Sequence, residues 1–317
     1  MIKIRNLHLN YGKSEILNIP SLDINTKKIT ALMGSNGSGK STLIRVLSRL
    51  QSPNGGEISL WGESKPSLEM LRKICVLLPE PALLKRSVRE NFKAILKSRN
   101  LLSEFDERTS EALALVGLDE KFLDKRHFEL SSGQTQRIAF ALALSLRAPF
   151  YLLDEPTNSV DIGTSKLFSK AINLMHEKYG CGFVIASHDE KWLSMLANEC
   201  VFLHKGRVCE FEYKNIFEIE DGMLSFGDDI KLNLPSNFKG KSKITINPSK
   251  IKISKNGGDG QISGYLHSAS LYMGNEKLLK VKVGDFLIKI FNHDDEITKI
   301  GERVFLEFED GSMLALE

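Results

Sequence analysis

The sequence predicts an α/β domain followed by a small all-β domain, and three observations support this. Between residues 134 and 197, helical and strand-like patterns alternate, which is typical of a mostly parallel sheet covered by helices. A glycine-rich turn that starts at Gly34 lies between a strand-like run and a helical pattern. From about residue 240 onward, only short strand-like runs separated by turn residues remain.

The predicted elements divide the chain of 317 residues into three segments. We expect an α/β domain over residues 1–214, a linker over residues 215–238 and a small β-barrel over residues 239–317. In the first segment the runs IKIRNL, SLDI and KITALM predict strands, and apolar spacing over residues 87–116 predicts helices. In the last segment the expected strands are KITI, KIKIS, LLKVKV, FLIKIF and VFLEFE.

Composition favours an ordinary globular protein and argues against several other classes. Hydrophobic residues make up 42% and charged residues 26%, which is enough for a sizeable core. A formal net charge of +3 is too small to indicate a nucleic-acid partner by itself. The four cysteines lie far apart without a CxxC pair, so we expect neither a zinc site nor a disulfide framework. No apolar run reaches the roughly 18 residues needed to span a membrane, so another chain must supply any channel.

The clearest motif is a phosphate-binding loop (P-loop) at residues 34–42. Its sequence, GSNGSGKST, fits the pattern GxxxxGK[ST] and lies between a predicted strand and a predicted helix. Glycines let successive backbone N–H groups point at a phosphate chain where the helix begins. We expect Lys40 to reach the β- and γ-phosphates and the Ser41 hydroxyl to bind Mg²⁺. The residues predicted to bind nucleotide here are Gly34, Ser35, Asn36, Gly37, Ser38, Gly39, Lys40, Ser41 and Thr42.

A second motif is the apolar run FYLLDE at residues 150–155, which ends in two acids. A carboxylate at the end of a strand can hold Mg²⁺ through water, and this is the role predicted for Asp154. Glu155 is then placed to polarise the attacking water. The motif is weak alone, because strands often end in acids. Together with the P-loop, it predicts nucleotide hydrolysis.

Residues 130–134, LSSGQ, resemble the LSGGQ signature of ATP-binding-cassette (ABC) ATPases, with Ser132 in place of the first glycine. Ser131 lies 91 residues after Lys40 and 23 before Asp154, which is similar to the family's order of motifs. A helical pattern follows the turn, so its backbone N–H groups form a second anion site. The resemblance implies that Ser131, Ser132, Gly133 and Gln134 bind the ATP that a second subunit holds.

Three further residues resemble family positions, so that the resemblance covers about residues 1–215. Tyr11 precedes the P-loop and is similar to the aromatic residue that stacks on adenine. Asp161, in SVD, resembles the D-loop residue, and His188, after the run CGFVIAS, resembles the switch histidine, which is expected to act in catalysis with Glu155. The resemblance implies an ABC-type P-loop NTPase with a helical subdomain. It also implies ATP as the nucleotide, Mg²⁺ as the metal ion and a homodimer that closes head to tail.

One position departs from the family's pattern. The family usually has a glutamine after the strand at residues 74–78, where it contacts Mg²⁺ and the coupling surface. An alignment without gaps places Pro79 there, and a proline side chain cannot ligate a metal ion. A gap of one residue would place Glu80 there instead. Either Glu80 is a metal ligand in place of the glutamine, or this contact is missing.

The C-terminal segment favours an importer within this family. The runs INPSKIKIS, ISGYLHSASLYMG and GERVFLEFEDG resemble the OB-like (TOBE-like) regulatory domain of many importer ATPases. An importer ATPase implies separate transmembrane permease subunits and, indirectly, an extracytoplasmic solute-binding protein. It also implies a peripheral position on the cytoplasmic face of the inner (plasma) membrane. The run LLKRSVRENF resembles ATPases of tungstate and molybdate importers, although iron, polyamine and sugar importers have similar ATPases.

A function outside transport is the alternative. ABC ATPases of translation usually carry two cassettes, and those of chromosome maintenance carry a long coiled coil, whereas this chain has one P-loop and a short interval before the signature. An OB-like domain can also bind nucleic acid through aromatic side chains. The candidates are Tyr265, Tyr272, Phe286 and Phe291. The sequence favours transport over this reading, so nucleic acid is not an expected partner.

The segment over residues 239–255 is the candidate for a regulatory oxyanion site in the last domain. It contains six lysines and no acidic residue, and its isoleucines alternate with outward-facing positions. A positive potential with nearby hydroxyl and N–H donors would suit an anion such as tungstate. The alternative is that the lysines only solvate exposed strands and discourage edge pairing. The lysines are Lys239, Lys241, Lys243, Lys250, Lys252 and Lys255.

Overall fold

A computed structural model describes residues 1–211, 215–227, 230–258, 260–271, 277–292 and 299–316. The chain consists of two compact units, Met1–Cys209 and Glu210–Glu317. Within the described ranges, no helix has both the length and the apolar character required to cross a bilayer.

The first unit alternates strands and helices as the sequence predicts. Its elements in chain order are β1 (Ile2–Tyr11), β2 (Ser14–Ile24), β3 (Ile29–Met33), α1 (Lys40–Leu47), β4 (Gly55–Leu60), α2 (Leu68–Leu71), β5 (Ile74–Leu77), α3 (Val88–Lys97), α4 (Phe105–Leu115), α5 (Ser132–Ser145), β6 (Phe150–Asp154), α6 (Ile162–Tyr179), β7 (Gly182–Ala186), α7 (Glu190–Ser194), β8 (Glu199–His204) and β9 (Arg207–Cys209).

Two sheets form the framework of this unit. The strands β2, β1 and β4 make an antiparallel sheet, in which alternate residues of β1, such as Ile2 and Ile4, are buried. A six-stranded sheet has the order β5-β6-β7-β3-β8-β9 and is parallel except for β9. The carboxyl ends of β3 and β6 therefore lie at the same edge of the sheet. This confirms the predicted α/β fold and places the P-loop and the two acids at one edge.

The helical part of this unit consists of α3, α4 and α5, which pack against one another. Two of these helices begin with reciprocal capping boxes, in which a serine caps the helix and a glutamate or glutamine three residues later bonds back. The pairs are Ser87 with Glu90 in α3 and Ser131 with Gln134 in α5. The capping box fixes the start of α5 at the signature-like turn.

The second unit is all-β, as predicted. Its strands are β10 (Asn215–Glu218), β11 (Met223–Ser225), β12 (Lys231–Asn233), β13 (Lys243–Ile246), β14 (Ile251–Ser254), β15 (Ile262–Leu271), β16 (Lys277–Val283), β17 (Phe286–Asn292), β18 (Arg303–Phe308) and β19 (Met313–Leu316). They form a five-stranded sheet of order β14-β18-β15-β16-β17, a three-stranded sheet of order β10-β13-β19 and the hairpin β11-β12. The arrangement is consistent with an OB-like domain.

Residues 215–238, expected to be a linker, belong instead to the folded second unit. They supply β10, β11 and β12, and Phe217 and Phe226 are buried in its core. The rings of Phe217, Phe226 and Phe286 meet edge to face. The boundary lies between Cys209 and Glu210 rather than after residue 214. The strands β11 and β12 have only three residues each, which is too short to show a period, so the sequence resembles a linker here.

Candidate active site

The P-loop connects β3 to α1 and needs its glycines for geometric reasons. Gly34, Gly37 and Gly39 have φ angles of 147°, 77° and 101°, in the region that L-residues avoid. A Cβ atom at Gly34 would lie 2.2 Å from the carbonyl oxygen of Leu203, so no side chain fits there. The first turn of α1 contains no acidic residue, which leaves the positive end of the helix open to an anion.

Lys40 is held within the loop by backbone carbonyl groups. Its Nζ atom donates hydrogen bonds to the oxygen of Gly34 at 2.7 Å and to that of Ser35 at 3.1 Å. Burial is the main influence on the pKa of Lys40 and lowers it, while the carboxylates of Glu155 and Asp154 act to raise it. Burial disfavours the charged form of Lys40, and a phosphate beside Nζ would stabilise that form by its negative charge. Lys40 is therefore placed to bind a phosphate chain.

Ser41 and Asp154 form a pair that fits a divalent cation. The Ser41 hydroxyl donates to Oδ1 of Asp154 at 3.1 Å, and Asp154 has no exposed surface. Its Oδ2 atom is buried and has no hydrogen-bond partner in the described structure. Burial raises the pKa of Asp154, against the opposing effect of the Ser41 hydrogen bond. A hydroxyl beside an unsatisfied carboxylate oxygen is a donor set that Mg²⁺ prefers.

Glu155 follows β6 in a constrained conformation and is paired with His188. Its φ angle is 50°, and its N–H group donates to the oxygen of Ala186 at 2.8 Å. The carboxylate accepts a hydrogen bond from the backbone N–H group of His188 at 3.2 Å. Its other oxygen lies 3.1 Å from Nδ1 of the His188 ring. Burial raises the pKa of Glu155, and Asp154 adds to this effect, while His188 opposes it. A carboxylate with a raised pKa is better suited to accept a proton from water.

Lys40, Ser41, Glu155 and His188 line one cavity of about 490 Å³, and Asp154 lies behind this wall in contact with Ser41. Tyr11 lies on its wall with 49% of its surface exposed, and its hydroxyl donates to Oε1 of Gln51 at 2.9 Å. The structure thus brings together predicted residues that are far apart in the sequence. The lining residues are Tyr11, Ile16, Asn36, Gly37, Ser38, Gly39, Lys40, Ser41, Thr42, Pro79, Glu155, Asn158 and His188. The sequence motifs gave no signal for Ile16 or Asn158.

The signature-like turn and the D-loop residue do not line this cavity within one chain. Ser131 and Ser132 are exposed at the start of α5, where the Ser131 hydroxyl accepts the N–H group of Gln134 at 3.3 Å. Asp161 caps α6 by accepting the N–H group of Thr164 at 2.7 Å. The cap occupies the N–H group of Gln134, whereas no hydrogen bond is described for those of Ser132 and Gly133, so these two can donate to a ligand outside the chain's own cavity.

Pro79 lines the cavity, whereas Glu80 is exposed and does not. The structure therefore does not bring the Glu80 carboxylate together with Ser41 and Asp154. Pro79 offers no side-chain ligand at the glutamine position, and a metal-binding role of Glu80 stays a prediction.

In the second unit, acids from elsewhere in the chain meet the lysine-rich segment. Ion pairs join Lys243 to Glu218 at 3.3 Å, Lys252 to Glu309 at 3.1 Å and Lys255 to Glu302 at 3.0 Å. Lys250 donates to the oxygen of Gly311 at 3.3 Å. For these four lysines, the contacts favour the role in solvating exposed strands over an anion site. Of the aromatic candidates, Phe286 packs on two other rings, and Tyr272 lies outside the described residues.

Known proteins with similar sequences and structures identify the family. Residues 17–158 match the family model described as ABC transporter. The tungstate uptake system ATP-binding protein TupC of Campylobacter jejuni is 46% identical over 255 residues, which cover 79% of this chain and 77% of that protein. The protein of the same description from Peptoclostridium acidaminophilum is 35% identical over 210 residues, which cover 66% of this chain and 97% of that protein.

A solved structure shows the same fold in a functional state. It is the dimeric, post-hydrolysis state of an ATP-binding cassette bound to ADP and Pi, with a TM-score of 0.59 and 26% sequence identity. The match covers 66% of this chain and 96% of that one. The phosphate-binding loop, the acidic strand end and the similarity to these proteins agree, and this chain belongs to the ABC transporter family as an ATP-binding, ATP-hydrolysing subunit.

Proposed function

We propose that this chain hydrolyses ATP to power tungstate uptake through separate membrane subunits. The observation that carries this proposal is the 46% identity to a tungstate uptake relative over 255 residues. The first unit has only 209 residues, so this similarity continues into the second unit. The side chains of Lys40, Ser41, Glu155 and His188 around one cavity support ATP hydrolysis as the power source.

The predicted site residues have distinct roles in this proposal. The P-loop N–H groups and Lys40 bind the phosphates, and Tyr11 offers its exposed ring to the adenine. Ser41 and Asp154 would hold Mg²⁺, which supplies charge neutralisation on the phosphate oxygens. Glu155 orients the attacking water and accepts its proton, and His188 holds the Glu155 carboxylate in place.

A second copy of the chain completes the site. The signature-like turn at residues 131–134 is exposed at the start of α5 and does not line its own chain's cavity. In a head-to-tail homodimer, this turn would cover the ATP held by the partner. A related cassette forms a dimer in its post-hydrolysis state, which supports this arrangement. Asp161 lies two residues after Ser159, whose carbonyl oxygen is close to Gly133 of the signature-like turn in the same chain. It would then lie near the dimer interface.

The remaining partners follow from the importer function. Permease subunits would form the channel, and a solute-binding protein outside the membrane would supply the solute. The chain would then be a peripheral protein on the cytoplasmic face of the inner membrane. Solute specificity would lie mainly in those partners, which is why the identity of the relatives, rather than the ATP site, supports tungstate.

The tungsten, molybdenum and sulfur content of cells tests this proposal. A strain that lacks the chain is complemented with the full chain or with the Glu155→Gln variant and grown in trace tungstate and molybdate. Mass spectrometry of the cells should show that only the full chain restores tungsten, with molybdenum and sulfur unchanged. Unchanged tungsten in the strain without the chain would refute tungstate as the solute. Equal loss of molybdenum would show that the system transports both oxyanions.

A further inference from the structure

One buried amide joins the first turns of α5 to the loop that follows Glu155. Gln136 is 2% exposed, and its Nε2 atom donates a hydrogen bond to the carbonyl oxygen of Pro156 at 2.9 Å. Pro156 is the residue directly after Glu155. Gln136 itself lies one turn into the helix that begins at the signature-like turn.

A second contact holds the same two segments together. At Gly133, a Cβ atom would lie 3.0 Å from the carbonyl oxygen of Ser159, so the helix backbone passes very close to the loop. The first turns of α5 are thus packed against residues 156–159 at two points. A displacement of the start of α5 would have to carry this loop with it.

The loop in turn determines where Glu155 can lie. The Glu155 carbonyl oxygen accepts the N–H group of Asn158 at 3.0 Å, and the Glu155 N–H group donates to Ala186 at 2.8 Å. With a φ angle of 50°, Glu155 occupies a conformation that persists only where neighbouring contacts hold it. A change at Pro156 would therefore reach the Glu155 carboxylate through a single peptide unit.

We propose that Gln136 is a positioning residue that couples the two ATP sites of the dimer. This inference rests on the proposed function, in which the turn at residues 131–134 contacts the partner's ATP while Glu155 acts on the chain's own ATP. Engagement of the turn moves the start of α5, and the Gln136 amide transmits this movement to Pro156 and Glu155. ATP at one site thereby sets the position of the Glu155 carboxylate at the other.

A purely structural role makes a different prediction. A buried amide that only satisfies a carbonyl group would, when removed, reduce stability and leave the kinetic coupling between sites unchanged. The two roles are therefore separated by the dependence of ATPase rate on ATP concentration, and by comparing kcat with ATP affinity.

The variant Gln136→Met tests the coupling, because methionine has a similar length and cannot donate to Pro156. We expect kcat to fall at least about tenfold, and the cooperative dependence on ATP concentration to become hyperbolic. Affinity for a fluorescent ATP analogue without Mg²⁺, a condition that prevents turnover, should stay within about twofold of the parent value. A variant with parent kcat and parent cooperativity would overturn the proposal.

The matched control is Arg108→Met. Arg108, on α4, also donates a side-chain hydrogen bond to a backbone carbonyl, that of Ser145 at 3.0 Å, which lies at the opposite end of α5; it pairs with Glu104 at 2.8 Å as well. We expect this variant to keep the parent cooperativity. If Arg108→Met lost cooperativity to the same extent as Gln136→Met, general loosening of α5 would explain the effect, and the proposal would be wrong.

The variant Gln136→Glu supplies a pH readout. Its carboxylate form cannot donate to Pro156, whereas its protonated form can, and burial favours the protonated form. The ATPase rate of Gln136→Glu relative to the parent should therefore rise as the pH falls, while that of Gln136→Met should not. The same ratio at all pH values for both variants would contradict a donor role for Gln136.

Failure of this inference can be distinguished from failure of the proposed function. If the parent protein itself hydrolyses ATP without cooperativity, the two sites are not coupled and the role of Gln136 is refuted, while size exclusion in Mg-ATP decides separately whether the dimer of the proposed function forms. If the parent is cooperative and Gln136→Met is equally so, the dimer stands and only the role of Gln136 is refuted.

Discussion

Replacing Glu111 by glutamine tests how the helical part of the first unit is held against its α/β core. Glu111 lies on α4 and accepts hydrogen bonds from Nη2 of Arg147 at 2.6 Å, from Nζ of Lys178 at 2.8 Å and from the hydroxyl of Tyr179 at 2.8 Å. Arg147 follows α5, and the other two donors lie at the end of α6. One carboxylate therefore joins three segments of the unit.

The magnitude follows from the pKa of this carboxyl. Burial acts to raise the pKa of Glu111, but the hydrogen bonds from Lys178, Tyr179 and Arg147 outweigh it and lower the pKa from 4.5 to about 2. A shift of this size corresponds to at most about 3 kcal/mol of stabilisation. Because the cluster is partly exposed, solvent screening reduces this to about 1–2 kcal/mol.

The sign of the pH dependence follows from a lowered pKa. The stabilisation is complete above the unfolded-state value near 4.5 and is lost as the pH falls toward about 2. We therefore expect Glu111→Gln to reduce the free energy of unfolding by about 1–2 kcal/mol at pH 7. The difference between parent and variant should shrink steadily below pH 4.5.

Urea denaturation of the full chain, followed by tryptophan fluorescence, measures this effect. The chain has two tryptophans, Trp61 and Trp192, and both lie in the first unit, so the signal reports that unit. Glu107→Gln is the control, because the Glu107 side chain is 67% exposed and pairs with Arg147 at 2.8 Å. It should change the free energy of unfolding by less than about 0.5 kcal/mol. Equal effects of the two variants, or a Glu111→Gln effect that persists unchanged at pH 3, would refute the reasoning.

Three further predictions concern the cavity. Lys40→Ala should lose nucleotide affinity because a charge-assisted phosphate contact is removed, and titration with a fluorescent ATP analogue should show this; parent affinity would contradict the role of Lys40. Gly34→Ala should destabilise the first unit by more than about 2 kcal/mol in the urea assay, because its methyl group would overlap the Leu203 carbonyl; a smaller loss would contradict the packing at this position. Glu80→Ala should keep the parent ATPase rate, since Pro79 rather than Glu80 lines the cavity, and a rate loss of about tenfold or more would restore Glu80 as the substitute for the glutamine.

Much of the candidate site could be predicted from the sequence because its chemistry lies in short motifs. The P-loop and the acidic strand end are each defined by a few consecutive residues, so the role of each motif can be predicted locally. Parallel strands then bring Lys40, Glu155 and His188 to one edge, which the alternation of elements already indicates. The adenine-stacking role of Tyr11 could be predicted only from the family's order of motifs, because a single tyrosine has no distinguishing pattern.

Other features depend on partners that are distant in the sequence, and no local pattern reveals them. The buried bond from Gln136 to Pro156 spans 20 residues, and nothing in either segment predicts it. The sequence does not predict β15 or β19, because glycine and serine interrupt the apolar alternation of β15, and β19 (MLAL) has no polar residue that would show an alternation. The lysines of residues 239–255 predict a positive surface, but Glu309 and Glu302, which lie about 50 residues away in the sequence, pair with Lys252 and Lys255.

The most direct test of the central claim is the oligomeric state and ATPase rate of Glu155→Gln in Mg-ATP. If Glu155 orients the attacking water and hydrolysis reopens the dimer, this variant should bind ATP, hydrolyse it at least about a hundredfold more slowly and elute from size exclusion as a stable dimer. The same variant without nucleotide should elute as a monomer. A Glu155→Gln protein that stays monomeric in Mg-ATP and hydrolyses ATP at the parent rate would contradict the account.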